Sequence, residues 1–127
     1  MFPIKITMPF PPTVNTYYRN VNGRTLMSRK GREFRELALK CCAWQKAPAI
    51  AIGTRLSVIL NLYPPDKRHW DIDNRVKAVL DGLQHAGVIP DDEQVDRLTI
   101  NRCPISKDDD RVDIVIFQAG PTHDPSL

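Results

Sequence analysis

Leu56-Ser57-Val58-Ile59-Leu60-Asn61-Leu62-Tyr63, closed by Pro64-Pro65, places Leu56, Val58, Leu60 and Leu62 at every second position. A period-2 apolar run is a strand with one buried face, and the paired prolines end it. Downstream, Val76, Val79, Leu80 and Leu83 recur at helical spacing and Gly87 supplies a left-handed stop, which predicts a helix starting near Asp73 or Asn74. Upstream, Phe2, Ile4, Ile6 and Met8 alternate with Pro3, Lys5, Thr7 and Pro9, a first strand ended by Pro9, Pro11 and Pro12. Ser28 is placed to cap a helix reaching about Lys46, with Phe34, Leu37, Ala38 and Cys41 as its apolar stripe. Residues 10–27 read as a long polar loop holding the tight-turn dipeptide Asn22-Gly23. Two last strands are predicted at 95–102 and around Val112, Ile114 and Ile116, across the turn-like 106–110 segment. The expected order is β-α-β-α-β-β, an α+β fold with a single mixed β-sheet and two main helices. It fills one domain, residues 1–118, with 119–127 as a flexible tail.

A chain of 127 residues, 42% hydrophobic and 26% charged, is sized for one compact core, which excludes a multidomain machine, a collagen-like sequence and wholesale disorder. The net charge of +3 names no partner by itself. Its distribution is informative: residues 1–55 hold ten cations against two acids, a net of +8, and residues 56–127 hold eight against thirteen, a net of −5. A cationic surface beside a gathering of carboxylates is the implied pattern. Cys41, Cys42 and Cys103 are odd in number, and two are adjacent in a helical stretch, so reduced thiols are expected. No run of eighteen apolar residues and no signal-peptide pattern occurs, so a cytoplasmic protein without a membrane partner is expected.

The sharpest chemical feature is Asp71-Ile72-Asp73-Asn74-Arg75-Val76-Lys77. If the segment is extended, Asp71 and Asp73 point the same way; Lys77 stands one helical turn beyond Asp73 and Asp81 one turn further. Converging carboxylates repel unless a cation lies between them, and hard oxygen donors suit Mg²⁺, with Mn²⁺ as a substitute. The Asp91-Asp92-Glu93 run after the helix can return a third carboxylate to the same place. The competing reading is that Asp73 or Asn74 caps the helix, that Asp91 and Asp92 are solvated turn residues, and that Asp81 pairs with Lys77. The 108–110 aspartates read as a solvated turn.

Other site types lack their residues. An EF-hand register from Asp71 puts Val76 where Gly is required and Gly82 where the bidentate Glu belongs; there is no paired zinc spacing, phosphate-binding glycine loop or G-x-S-x-G serine. Lys67, Arg68 and Arg75 flank the carboxylates, and Arg19 and Arg24 stand with Tyr17 and Tyr18 in the first loop, a mixture suited to branched or opened nucleic acid. Trp70 reads as a stacking residue or as a loop anchor. The Arg-rich side of the first helix reads as a solvated face with Arg32–Glu36 and Glu36–Lys40 pairs.

Across nearly its whole length the chain resembles the RusA-type Holliday junction resolvases, small bacterial and prophage endonucleases. The resemblance is carried by the segment from Pro9 to Arg19, Gly23-Arg24-Thr25, Asp71-Ile72-Asp73-Asn74, Lys77, Asp81, Ala86-Gly87 and Asp91-Asp92. In that family a longer Arg run often stands where this chain reads Lys67-Arg68-His69-Trp70. The resemblance implies a homodimer that binds four-way DNA junctions and nicks two strands symmetrically with Mg²⁺. It also implies that Asp71, Asp73 and Asp92 are catalytic metal ligands, that Lys77 is a catalytic lysine, and that Asn74, Asp91 and Asp81 are auxiliary. The alternatives are a non-catalytic DNA-binding module and a metal-dependent nuclease or phosphatase with another substrate.

Overall fold

The computed structural model describes residues 1–120. Its elements are β1 (Ile4–Pro9), α1 (Val14–Tyr17), β2 (Tyr18–Val21), β3 (Arg24–Met27), α2 (Arg29–Trp44), β4 (Leu56–Tyr63), α3 (Val76–His85), β5 (Val95–Arg102) and β6 (Arg111–Gln118). Short 3₁₀ turns, Ile72–Arg75 and Asp92–Gln94, precede α3 and β5. Four strands form one mixed sheet in the order β1-β6-β4-β5, with β4 and β5 parallel and the other pairings antiparallel. The expected α+β class and mixed sheet are therefore present. Although consecutive, β5 and β6 are not neighbours, because β6 inserts between β1 and β4.

Alternation positions the core. Ile4, Ile6 and Met8 of β1, Leu56, Val58, Leu60 and Leu62 of β4, and Val112, Ile114 and Ile116 of β6 are all buried, facing the helices. Their neighbours form a mixed opposite face, where Ile59 pairs with Val115, Thr7 Oγ1 donates to Asp113 at 3.0 Å and Asn101 Nδ2 to Asn61 at 2.9 Å. The Gln45 side chain pairs with the backbone N–H and C=O of Thr7 at 2.7 and 2.8 Å, which covers the free edge of β1.

Ser28 caps α2 as expected, its Oγ accepting from Gly31 N–H at 2.9 Å. The buried stripe differs: Gly31, Phe34, Ala38 and Cys42 face inward, while Leu37 is 45% exposed and Cys41 lies half-buried. The inward row follows i, i+4, i+8, because Ala38 meets Gly82 of α3 so closely that a Cβ on Gly82 would stand 2.9 Å from that of Ala38. In α3, Ala78, Val79, Gly82 and Leu83 are buried, Val76 and Leu80 pack at the margin, and Gly87 (φ 77) takes the left-handed stop.

The long loop expected over 10–27 is corrected: it holds α1 and the β2–β3 hairpin. Asn22 (φ 50) and Gly23 (φ 76) form its tight turn, as the dipeptide predicts, whereas α1 and the flanking strands carry no comparable signal. The strands lack one because residues 19–26 are exposed on both faces and carry no alternation. The cysteines are free, and burial raises the Cys42 thiol pKa to about 11, which keeps it protonated at neutral pH. No described helix is long and apolar enough to cross a membrane. Most of the expected tail, 121–127, lies outside the described residues; Ala119 N–H bonds the Arg55 carbonyl at 2.9 Å.

Gly31 has the least room for a side chain among the described glycines. A Cβ there would stand 2.4 Å from the Tyr17 carbonyl oxygen and 3.0 Å from Met27 Cγ. Alanine in a helix ordinarily gains about 1 kcal/mol over glycine, but an overpacked contact with backbone costs roughly 1–3 kcal/mol, so the clash wins. Gly31→Ala should lower the thermal midpoint by several degrees; an unchanged or raised midpoint would show that the helix start is not held against the hairpin root.

Candidate active site and nucleic-acid interface

The acidic segment lies between β4 and α3. Trp70 anchors it: the indole is 9% exposed, edge-on to Phe10 with ring centroids 5.5 Å apart, and its carbonyl accepts from Arg102 Nη2 at 3.0 Å. The Arg102 and Arg75 guanidinium carbons stand 4.1 and 5.6 Å from the Trp70 centroid. Of its two sequence readings, Trp70 is the loop anchor.

Asp71 is extended (φ −92, ψ 135), but Ile72–Arg75 is a 3₁₀ turn. The expectation that strand alternation aligns Asp71 with Asp73 is corrected, since a 3₁₀ turn rotates about 120° per residue and turns i and i+2 apart. The capping alternative fails as well. Neither Asp71 at the head of the 3₁₀ turn nor Arg75 at the head of α3 makes a side-chain cap, and no backbone N–H bonds Asp73 or Asn74 among the described residues. Asp71 and Asp73 are exposed; the single ionic contact of Asp71 among the described residues is His69 Nε2 at 3.7 Å.

The 91–94 turn folds back onto this helix start. Lys77 Nζ lies 4.0 Å from Asp92 Oδ2, joining residues fifteen apart in sequence. Asp91 is occupied differently, its Oδ1 accepting from Glu93 N–H at 3.0 Å as a cap. Two residues that sequence reasoning missed fasten the turn. Gln94, the one buried polar residue of the described core, donates to the carbonyls of Ala51 and Thr54 at 3.1 and 3.0 Å. Arg55 grips Glu93 by carboxylate and carbonyl and Asp96 by carboxylate. No sequence signal marks Gln94, because nothing distinguishes it from a surface glutamine until β4 is placed beside it.

Asp81 does not pair with Lys77. Its carboxylate accepts a short hydrogen bond from the fully buried Tyr17 hydroxyl and stands 3.5 Å from Arg35 Nε, linking α1, α2 and α3. The pairs expected along α2 are also corrected: Arg29 pairs with Glu33 at 3.0 Å and Glu36 with His85 at 3.3 Å, because α3 and the helix's own first turn offer closer partners.

Of the proposed phosphate contacts, Arg19, Arg24 and Lys67 are exposed. Arg68 is held by Asp66, whose Oδ2 accepts from both Nε and Nη2 and whose Oδ1 accepts from the Arg68 backbone N–H; these hydrogen bonds keep the Asp66 pKa below the ordinary carboxylate value. Arg75 is half-buried, its guanidinium 4.6 Å from the Phe10 centroid and bonded to the Pro11 carbonyl; burial, then Arg68, push its pKa down. A cleft of about 580 Å³ lies beside the acidic segment, lined by Phe10, Lys30, Arg68, His69, Trp70 and Arg75 among others.

Among the described residues no three His, Cys, Asp or Glu side chains stand together closely enough to hold a metal ion by themselves. Mg²⁺ asks for less, since one or two carboxylates, retained waters and substrate phosphate oxygens complete its octahedron. Hard, exposed oxygens not committed to capping, as on Asp71 and Asp73, fit that ion in kind.

The site thus consists of exposed acids at a helix start, flanked by cations and carried on one mixed sheet. Residues 9–117 match the family model described as Endodeoxyribonuclease RusA, and the chain belongs to that family. It is similar to the crossover junction endodeoxyribonuclease RusA of Escherichia coli K12, 34% identical over 117 residues that cover 91% of this chain and 94% of that protein. The same identity and coverage relate it to the crossover junction endodeoxyribonuclease of Enterobacteria phage 82. That of phage HK97 is 35% identical over 98 residues, covering 77% of this chain and 81% of the other.

The Tyr17–Asp81 bond yields a pH-dependent prediction. Burial and the adjacent carboxylate raise the Tyr17 pKa above its ordinary value. The folded chain therefore keeps this proton where the unfolded chain loses it, near pH 10, and stability from Tyr17 falls as pH rises beyond that point. Tyr17→Phe leaves Asp81 short of a donor and should cost about 1–3 kcal/mol at pH 7. Denaturant titrations should show the gap between variant and wild type closing above pH 10; a constant gap would contradict the assignment.

Proposed function

We propose that this protein is a divalent-metal-dependent, structure-selective endonuclease that cuts four-way DNA junctions. The observation that carries the reading is the approach of Lys77 to Asp92, which draws the 91–94 turn to the helix start where Asp71 and Asp73 stand uncapped. The names of its relatives support the substrate class.

Asp71, Asp73 and Asp92 would serve Mg²⁺, with Mn²⁺ as a substitute, one or two of them as direct ligands and the rest through its retained waters. A divalent ion bound there supplies Lewis-acid stabilisation of phosphoryl oxygens and a more acidic water at neutral pH. The chain's own residues do the rest. Lys77, half-exposed and within reach of Asp92, places an ammonium against the charge that develops on the phosphate. Gln94 and Arg55 hold the Asp92 turn, and Trp70 with Arg102 holds the Asp71 end, so the carboxylates sit on braced backbone. Asn74 and Asp91 are auxiliary, Asp91 through the turn that it caps; Lys67, Arg68, Arg19 and Arg24 meet phosphates away from the cut. Two copies related by a two-fold axis match a junction's own two-fold symmetry and account for paired symmetric nicks. The setting is the cytoplasm of a bacterium or a prophage host, in recombination and repair.

Asp73→Asn should bind a labelled four-way junction like wild type and lose cleavage by at least about 10²–10³-fold, the scale of removing one group that stabilises developing charge. Lys77→Ala should lower cleavage by a similar factor, and EDTA should abolish wild-type cleavage. Wild-type rates in Asp73→Asn would reject the metal role, and intact strands with Mg²⁺ under binding conditions would favour a non-catalytic DNA-binding module. Equal cutting of junction, linear duplex and a mononucleotide ester would favour a nuclease of other specificity.

A further inference from the structure

The β2–β3 hairpin is the least supported element of the fold, yet its root is among the most tightly built. Residues 19–26 are all exposed, and only Tyr18 and Met27 at the base are partly buried against the core. A two-stranded ribbon with nothing packed on it is marginal in water. The root is nevertheless fixed on three sides. Ser28 N–H bonds the Tyr17 carbonyl at 2.9 Å, Arg32 Nη1 bonds the Met27 carbonyl at 2.8 Å, and Gly31 leaves room for that approach. Tyr17, the residue before β2, is bonded to Asp81, one turn beyond Lys77 on α3.

The register determines what the ribbon presents. Arg19 opposes Leu26 and Val21 opposes Arg24, so these four share one face; Tyr18, Met27, Asn20 and Thr25 share the other. Because Tyr18 and Met27 turn to the core, the Arg19, Val21, Arg24 and Leu26 face turns outward, with Val21 36% and Leu26 41% exposed. The tight Asn22-Gly23 turn makes this register the only one that a two-residue loop allows here. Among the described residues neither Arg19 nor Arg24 has an acid within 4.0 Å, and residues 1–32 contain no Asp or Glu at all.

A narrow, cationic ribbon with two aliphatic side chains between two arginines matches a duplex groove in charge and shape. B-DNA's major groove is about 12 Å wide and admits a two-stranded ribbon, and its thymine methyls accept aliphatic contact. We propose that the β2–β3 ribbon lies in the major groove of one duplex arm, with Arg19 and Arg24 on flanking phosphates and Val21 and Leu26 against base edges. This rests on the reading of the protein as a DNA enzyme and adds the element that seats the duplex. Since the ribbon root is bonded to α3, seating the duplex on the ribbon sets where the DNA strand passes the Asp71–Lys77 segment.

The test uses the full chain in EDTA, so that binding is read without cleavage, on a labelled four-way junction and on a linear duplex. Arg19→Ala/Arg24→Ala should weaken binding by roughly tenfold or more and reduce the slope of log affinity against log salt by about 1.8, the share of two phosphates. Dimethyl sulfate footprinting should show guanine N7 protected by wild type and re-exposed in the double variant, and a photocrosslinker replacing Val21 should label a duplex arm. Wild-type affinity and slope in the double variant, absence of crosslinking from position 21, or protection of adenine N3 in place of guanine N7 would overturn the proposal. Ribbon-dependent binding by a protein that never cuts would reject the nuclease reading alone. Junction cleavage with an indifferent ribbon would reject the ribbon alone, and a wild type that binds neither DNA would reject both.

Discussion

The arrangement depends first on the hydrogen bond from the buried Tyr17 to the partly buried Asp81. Tyr17 ends α1 and immediately precedes the hairpin; Asp81 lies mid-way along α3, one turn after Lys77; and Arg35 of α2 approaches the same carboxylate. One carboxylate therefore ties three helices together at the margin of the apolar core that they share with the sheet. Burial of Tyr17 makes the bond consequential, because an unpaired hydroxyl at that depth costs more than the bond contributes when made. Sliding α3 along α2 would break it, and the close Ala38–Gly82 contact resists the same motion sterically.

Much of this fold was legible because its elements keep strict periods. β1, β4 and β6 each bury alternate residues, and an apolar residue stands at every buried position in the sequence. The hairpin escaped because a strand exposed on both faces has no hydrophobic period, leaving Asn22-Gly23 as its sole signal. In α2 the stripe shifted by one position at Leu37 and Cys41, since the inward row was chosen by Gly82 on a neighbouring helix rather than by hydrophobicity. The insertion of β6 between β1 and β4 is a long-range pairing that local pattern does not encode.

The site was legible in residue type and less so in geometry. A rule for extended backbone aligned Asp71 with Asp73, but the chain enters α3 through a 3₁₀ turn. The meeting of Asp92 with Lys77 depends on how the 86–94 segment returns, and that path is set by Gln94 and Arg55, which tie the turn to the 51–55 segment ahead of β4. Sequence order separates these residues by about forty positions, so only the folded chain reveals them as supports of one turn.

Partner counting sharpens the charge asymmetry between the two halves. Asp66 is taken up by Arg68, Glu93 and Asp96 by Arg55, Asp109 and Asp113 by Arg111, Asp81 by Tyr17 and Arg35, and Asp91 by the turn that it caps. Among the described residues, the acids left with a weak partner or none are Asp71, Asp73 and Asp92 around α3, and Asp108 and Asp110 in an exposed turn. The first three surround one helix start, whereas Asp108 and Asp110 sit in a tight turn where Asp108 adopts φ 67. The negative surplus of residues 56–127 thus concentrates where a divalent cation would neutralise it, and the acid-free stretch of residues 1–32 lies on the hairpin side. Neutralising those carboxylates raises the net positive charge of the working surface above its formal +3. On the proposed reading, a cation at the acids and the arginines of the hairpin would favour the same polyanion, so that metal binding and DNA binding would reinforce one another through charge alone.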